Sequence, residues 1–342
     1  MSAPAATQKK RINLALQGGG AHGAFTWGAL DALLADGRLE VAGISGASAG
    51  AMNAVVLADG LREGGPEAAR QQLKHFWRSV SLDGRLNAAQ RSLFDAYLSA
   101  FDPLKFSERL WQSASSFLSP YDFNPLDINP LRSVLTKLVD FDALRTSDDV
   151  KLFISATNVR TGRIKVFRRP ELTADMVMAS ACLPTLFRAV EIDGVPYWDG
   201  GYSGNPPLFP FFSETDCLDV VLVQLDPIER PGTPDTAAEI MQRMNEITFN
   251  APLIGEFRAI DFVARLIDDG RLKETRYKKI RMHLIEGGAA LAAYTADTKM
   301  QADYDLFKRL FDLGRSAGEK FIADHYEAIG EQGTLELRRY LA

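Results

Sequence analysis

Apolar residues near the start of the chain occur in short runs that end at small residues. Residues 12–16 form an apolar run that stops at three glycines, and residues 24–34 then carry apolar side chains at helical spacing. Residues 39–44 and 49–57, joined by a tight Ser45-Gly46 turn, repeat the order of strand, turn and helix. Two successive β-turn-α units predict a parallel sheet.

Further apolar runs extend this predicted sheet. They lie at residues 151–158, 164–167, 195–198, 218–224 and 281–285. The fourth run is almost continuously apolar, as strands buried on both faces are. Helical patterns lie at residues 66–139, where prolines interrupt them, and at 237–250, 253–269 and 303–326. We therefore predict a three-layer α/β/α fold with a mostly parallel central sheet and helical insertions.

The same patterns predict how the chain is divided. Residues 1–10 are expected to be a disordered leader, and residues 11–226 a core that carries the helical insertion at 66–139. Residues 227–342 are expected to form a mostly helical C-terminal portion packed on this core. The first two β-turn-α units contain stretches without charged residues that reach the length of a membrane span. Their glycines and polar side chains favour buried strand-turn-helix units instead.

The composition narrows the range of partners. With 39 basic and 44 acidic residues the formal net charge is −5, and no long basic run occurs, which argues against nucleic acid. Cys182 and Cys217 are too few for a disulfide framework and lie outside any metal-ligand spacing. We therefore expect a cytoplasmic protein that binds no metal ion. The sequence carries no indication of its oligomeric state.

The pentapeptide at residues 46–50 matches G-x-S-x-G and lies between a predicted strand and a predicted helix. Gly46 and Gly50 would let the backbone turn sharply enough to expose the hydroxyl of Ser48 at the positive end of the helix. This context is typical of a nucleophilic serine. Because Gly, Ala and Ser are common residues, a packed small-residue turn is an alternative of similar weight for the pentapeptide alone.

A nucleophilic serine also requires an anion-binding site. Gly18, Gly19 and Gly20, followed by His22 and Gly23, precede a predicted helix, where consecutive backbone N–H groups can converge on negative charge. A nucleotide-binding loop is the alternative. The segment lacks the lysine of a P-loop and does not form G-x-G-x-x-G with a suitably placed acidic residue, so an oxyanion hole is favoured.

The base that would activate the serine is not an obvious histidine. Of the four histidines only His22 lies in a segment that is expected to be near Ser48, while His283 and His325 fall inside a predicted strand and helix. Asp199 follows an apolar hairpin and begins a glycine-rich turn with Gly200 and Gly201. A partly desolvated carboxylate can have its pKa raised into the range of a general base, although an isolated Asp-Gly is more often a simple turn.

Together these segments resemble the motifs of the patatin-like phospholipases, which carry a G-G-G-x-[RK]-G loop, a G-x-S-x-G turn and a downstream D-G-[GA] turn. In this chain the corresponding segments are residues 18–23, 46–50 and 199–201. The small-residue segment that ends at Pro184 and the Asn205-Pro206-Pro207 segment also match. The resemblance covers about residues 11–226 and leaves the C-terminal third without a family signature.

The resemblance implies a Ser-Asp dyad in place of a triad. Ser48 would attack an ester carbonyl, Asp199 would take its proton, and the amides of Gly18, Gly19 and Gly20 would hold the oxyanion. An acyl-enzyme would form and be released by water, with no metal or organic cofactor. The implied substrate is a lipid or phospholipid ester, met by peripheral contact with membranes.

The chain departs from the family pattern at His22, where Arg or Lys is more common. A side chain that titrates near pH 6.5 would replace a fixed positive charge. We expect His22 to make activity depend on pH, because deprotonation would remove support for the oxyanion hole.

Aromatic residues are dense in residues 94–123 and suggest an apolar wall or lid over an acyl-chain site, with helix packing as the more ordinary alternative. Met241, Met244, Phe249 and Phe257 permit the same two interpretations. A non-catalytic lipid-binding or scaffolding protein of the same fold is the competing function. A nucleotide-binding enzyme is a weaker third.

Overall fold

The computed structural model describes residues 9–81, 129–274, 276–294, 298–299 and 301–341. Within these ranges eight strands form one sheet: β1 (Lys10–Leu16), β2 (Leu39–Gly46), β3 (Lys151–Asn158), β4 (Ile164–Arg168), β5 (Val190–Ile192), β6 (Val195–Asp199), β7 (Asp219–Gln224) and β8 (Arg281–Glu286). Hydrogen-bonded pairing connects them as β5-β6-β3-β2-β1-β7-β8, with β4 also paired to β3. The pairs between β3, β2, β1, β7 and β8 are parallel, so the predicted mostly parallel sheet is confirmed.

Helices cover both faces of this sheet. The described helices are α1 (Gly23–Asp36), α2 (Ala49–Ser79), α3 (Pro130–Leu138), α4 (Phe141–Thr146), α5 (Ala174–Ser180), α6 (Phe209–Glu214), α7 (Ala237–Asp268), α8 (Gly288–Ala292) and α9 (Tyr304–His325). Side chains of β7 alternate between the two layers: Val221 and Val223 pack with α1, α2 and α9, whereas Val220 and Leu222 pack with α6 and α7. The three-layer α/β/α prediction is therefore confirmed.

The long helix α7 differs from the sequence prediction. We predicted two helices, ending and restarting near Pro252, but one helix runs from Ala237 to Asp268 through the proline. Pro252 removes one backbone hydrogen-bond donor from the helix interior. Buried Asn250 on one side, with Leu253 and Phe257 on the other, holds both halves against the protein, and this packing outweighs the lost bond.

The predicted helical insertion is described only at its two ends. Helix α2 continues past the break at Gly64 and Gly65 to Ser79, and α3 begins at Pro130. The aromatic segment at residues 94–123 lies outside the described residues. None of the helices in the described part of the chain combines the length and the hydropathy needed to cross a bilayer.

Residues beyond β7 contribute to the same sheet and to both of its helical layers. Strand β8 pairs in parallel with β7 along six residues, from Arg281 to Glu286. Helix α9 packs along α1, and a glycine on each helix lies at their contact: a Cβ at Gly314 would overlap the carbonyl oxygen of Phe25, and one at Gly28 would overlap that of Phe311. The two backbones therefore approach more closely than any larger residue would permit.

Candidate active site

The predicted serine and aspartate are brought together by the pairing of β3. Strand β4 overlaps both β2 and β6 along β3, so β2 and β6 must share the opposite edge of that strand. Strand β2 runs parallel to β3 and ends with Gly46 opposite Ile154, while β6 runs antiparallel and ends with Asp199 opposite Ala156. The two strand ends therefore meet head-on, about 7 Å apart along β3 at the rise of a β-strand.

Ser48 occupies a strained turn at this meeting point. Its φ of 53° and ψ of −123° lie outside the regions that L-residues favour, and it immediately precedes the first turn of α2. The Ser48 N–H donates to Ser180 Oγ over 2.9 Å. Gly50 permits the tight turn, because a Cβ there would overlap the carbonyl oxygen of Leu16. This geometry is typical of a nucleophile elbow.

Asp199 is fully buried at the end of β6. Its Oδ1 accepts from the Gly201 N–H over 2.7 Å, and its own carbonyl accepts from Thr157 Oγ1 over 2.8 Å. Gly200 is required beside it, since a Cβ there would overlap the carbonyl oxygen of Ser155. Burial raises the pKa of Asp199 to about 7, and the hydrogen bonds from the Gly201 N–H and the Ser48 hydroxyl offset only part of this rise.

The second carboxylate oxygen of Asp199, Oδ2, is available to accept a proton. Among the described residues Asp199 Oδ2 has no partner that satisfies strict hydrogen-bond geometry, although the Ser48 hydroxyl is near enough to lower the pKa of Asp199. Catalytic hydrogen bonds are often long in a protein without substrate and tighten when substrate binds. An unpaired, fully buried carboxylate oxygen is costly for folding, which favours a functional reason for its retention.

The three glycines after β1 differ in whether their N–H groups are already hydrogen-bonded. The Gly18 N–H donates to Asn205 Oδ1 over 2.7 Å, so it is already engaged, and the predicted role of Gly18 as an oxyanion donor is corrected. Gly19 is partly exposed and Gly20 is exposed, and the N–H groups of both bond to no other described residue. Gly20 has a φ of 58°, a conformation that favours glycine.

Gly23 and His22 connect this loop to α1. A Cβ at Gly23 would lie 2.8 Å from the Cβ of Ala49, so glycine allows α1 to start beside the serine turn. His22 is buried and its Nε2 is 2.8 Å from Thr298 Oγ1. Burial, helped by the positive charges of Lys299 and Arg230, lowers the pKa of His22 to about 3. The expectation that His22 titrates near pH 6.5 is therefore wrong, because the buried imidazole stays neutral well below that pH.

A pocket that is partly open to solvent lies beside Ser48. Its apolar walls include Met52, Phe76, Trp77, Leu131, Ala302 and Phe307. Two of these residues come from the C-terminal portion, for which the sequence offered no role. A larger space lies at the ends of β7 and β8, but its lining is more polar than that of the pocket beside Ser48 and includes neither Ser48 nor Asp199. The cavity beside Ser48 is therefore the candidate acyl site.

Met241, Met244, Phe249 and Phe257 of α7, which could belong either to the core or to an acyl-chain site, differ in their burial. Phe257 is buried in the core, as the packing interpretation requires, and Phe249 is half-buried against Tyr202 with ring centroids 4.9 Å apart. Met241 and Met244 are 57% and 55% exposed. These two methionines are not part of the core and do not line the cavity.

Residues that the sequence analysis did not single out complete the site. Ser180 accepts from the backbone of Ser48, Asn205 anchors Gly18, and Lys299 lies over Gly20 and beside His22. Ser180 and Asn205 belong to the two segments that matched the family pattern, which could have indicated them. No sequence signal indicates Lys299. Within the described ranges, no three His, Cys, Asp or Glu side chains cluster as metal ligands would.

Comparison with known proteins identifies the family. A family model for patatin-like phospholipases matches residues 14–212, which is more than half of the chain. Among solved structures, VipD from Legionella pneumophila is similar, with a TM-score of 0.37 and 17% sequence identity, over 89% of this chain and 67% of that chain. No curated protein matches. The resemblance inferred from the motifs is confirmed, and the chain belongs to the patatin-like phospholipase family, which implies lipid acyl hydrolase activity.

Proposed function

We propose that the protein is a serine acylhydrolase that cleaves carboxylic esters of lipids, with Ser48 as nucleophile and Asp199 as general base. The observation that carries this proposal is the meeting of β2 and β6 on one edge of β3. That meeting brings a strained, half-buried serine beside a fully buried carboxylate. The family gives the general activity, and this geometry supports the particular residues.

The proposed reaction uses these groups in two halves. Ser48 Oγ attacks the ester carbonyl carbon as its proton passes to Asp199 Oδ2, and the N–H groups of Gly19 and Gly20 bind the developing oxyanion. Asp199 then protonates the leaving alcohol, which leaves an acyl-enzyme on Ser48. A water molecule attacks this acyl group, gives its proton to Asp199, and the proton returns to Ser48 Oγ as the fatty acid departs.

The electrostatics of Asp199 suit this role. A general base is most effective when its pKa lies near the working pH, and burial raises the pKa of Asp199 to about 7. Below that pH the carboxyl group is protonated and cannot accept the serine proton. In the proposed mechanism, activity therefore rises as pH increases through about 7.

The direct test of this proposal is the reaction of Ser48 with a fluorophosphonate probe. We expect the wild-type protein to be labelled on Ser48 and to hydrolyse p-nitrophenyl esters, while Ser48→Ala loses labelling and at least about 10³-fold of the hydrolysis rate. Ser133→Ala, which changes an exposed serine on α3, is the matched control and keeps both. A folded wild-type protein that is neither labelled nor active would favour the non-catalytic lipid-binding alternative.

The cavity beside Ser48 supports an acyl-chain site. Its walls are largely apolar, and each methylene group that leaves water on binding contributes about 0.8 kcal/mol. We expect Ala302→Phe, which adds bulk to a cavity wall, to lower kcat/KM for octanoyl esters at least about tenfold more than for acetyl esters. Ala251→Phe, on the exposed face of α7, is the control. An unchanged chain-length preference in Ala302→Phe would place the acyl chain elsewhere.

Peripheral contact with membranes belongs to the same proposal. Ile240, Met241, Met244 and Ile247 are exposed apolar residues on one face of α7, at spacings that align on a helix. Phe249, on the following turn, packs against Tyr202 beside the Asp199 turn. An exposed apolar face of this kind would favour contact with a bilayer that holds the esters, and a cytoplasmic location belongs to the same proposal.

A further inference from the structure

Asn205 links the loop that carries the base to the loop that carries the oxyanion donors. Its side chain is fully buried, and its Oδ1 accepts the Gly18 N–H over 2.7 Å. The orientation of the amide follows from this bond, because an N–H donor requires oxygen as its partner. Gly18 also packs closely against Ser48. A Cβ at Gly18 would be 2.8 Å from the Cβ of Ser48 and 3.2 Å from Asn205 Oδ1.

The backbone on both sides of Asn205 is firmly held. The preceding carbonyl, of Gly204, accepts from Ser155 Oγ over 2.9 Å, and the Pro207 carbonyl accepts from Ser45 Oγ over 2.5 Å. The Leu208 N–H donates to both carboxylate oxygens of Glu256, over 2.9 and 3.0 Å. Asn205 is thus a rigid anchor attached to β2, β3 and α7, and it does not depend on the glycine loop for its own position.

The glycine loop needs such an anchor. Three consecutive glycines have more conformational freedom than any other tripeptide, yet an oxyanion hole must be formed before the reaction to be effective. The Gly18 N–H is the first donor of this loop, and holding it fixes the peptide plane between Gln17 and Gly18, from which the rest of the loop continues. Among the described residues Asn205 Nδ2 has no partner, a cost of about 1–3 kcal/mol that a buried aliphatic side chain would not carry.

We propose that Asn205 is a positioning residue of the oxyanion hole: it holds Gly18 so that the N–H groups of Gly19 and Gly20 are aimed at the carbonyl oxygen of a substrate on Ser48. This inference rests on the proposed function. Asn205 acts through the glycine loop and does not itself touch the reacting atoms. Its loss lowers kcat more than it raises KM, since the oxyanion donors act in the transition state.

The test compares two fully buried asparagines whose side chains each bond to a distant segment of the chain. Asn13 lies on β1, and its Nδ2 donates to Thr215 Oγ1 and the Cys217 carbonyl in the segment between α6 and β7. We expect both Asn205→Ala and Asn13→Ala to lower the melting temperature. Only Asn205→Ala should lower kcat, by roughly 10- to 100-fold, with KM for p-nitrophenyl esters changed less than about threefold.

Hydrogen exchange of the Gly18 amide provides a readout that needs no activity. We expect this amide to exchange faster in Asn205→Ala and to stay protected in Asn205→Asp, which keeps an acceptor oxygen and can be studied if the alanine variant does not fold. Wild-type protection of Gly18 in folded Asn205→Ala overturns the inference. The inference is also overturned if Asn205→Ala and Asn13→Ala have equal kcat values while the wild-type activity requires Ser48. In that case the proposed function stands. A wild-type protein without Ser48-dependent activity overturns the proposed function and this inference together.

Discussion

An Asp199→Asn enzyme should be inactive and, at pH 8, more stable than the wild type. The folded pKa of Asp199 is raised from 3.8 to about 7, so between these values the folded chain holds a proton that the unfolded chain has released. Wild-type stability therefore falls as pH rises from about 4 to about 7. The full difference is about 4 kcal/mol, taking 1.36 kcal/mol for each pH unit. Asparagine does not titrate and still offers an oxygen to the Gly201 N–H.

The measurement is urea unfolding of both proteins at pH 4 and at pH 8, together with ester hydrolysis. We expect nearly equal stabilities at pH 4, a stabilisation of up to about 4 kcal/mol in the variant at pH 8, and a loss of about 10³-fold in rate. Asp312→Asn, at an exposed position of α9, controls for the removal of one negative charge. A variant that is less stable than the wild type at pH 8 would show that Asp199 is ionised without penalty.

A Gly314→Ala substitution should destabilise the protein by about 3 kcal/mol, although alanine is the better helix former. Its methyl group would overlap the carbonyl oxygen of Phe25, so α9 would have to move away from α1. Backbone atoms cannot rotate aside as the end of a flexible side chain can. A loss of stability of this size would show that the contact between α1 (residues 23–36) and α9 (residues 304–325) is part of the core.

Gly255→Ala is the matched control for this prediction. Gly255 also lies inside a long helix, α7, but a Cβ there would meet no atom within 4 Å. We expect this change to stabilise the protein by about 0.5–1 kcal/mol, because it reduces the conformational freedom of the unfolded chain. Chemical denaturation of both variants tests the pair. If the two alanines have the same effect, the close approach of α1 and α9 does not limit the residue at 314.

Local features of the candidate site could be predicted from the sequence. The turn at Ser48 follows from small residues between an apolar run and a helical pattern, and the loop at residues 18–20 follows from consecutive glycines. Both signals lie within a few residues of the feature that they indicate. The long helices and most strands were predicted for the same reason, whereas the short helices α4, α6 and α8 were not predicted. At Pro252, packing of both halves of α7 outweighs a local helix-breaking signal.

Features that depend on distant residues could not be predicted. Asp199 reaches the site because β6 shares an edge of β3 with β2, and no local pattern encodes that register. The engaged state of the Gly18 amide depends on Asn205, and the neutral state of His22 depends on burial and on Lys299. Predicting each of these features requires knowledge of which parts of the chain meet. The pKa of His22 in particular follows from its burial and not from its residue type.

The cavity beside Ser48 joins parts of the chain that are synthesised at different times. Ser48, Met52 and Trp77 leave the ribosome long before Ala302 and Phe307, which form another part of the same wall. The proposed catalytic groups thus exist in the nascent chain before the candidate acyl site has its full shape. In the proposed mechanism, ester selectivity emerges only when the later residues have folded onto α1 and α2, and substitutions in them would alter chain-length preference without touching the proposed catalytic groups.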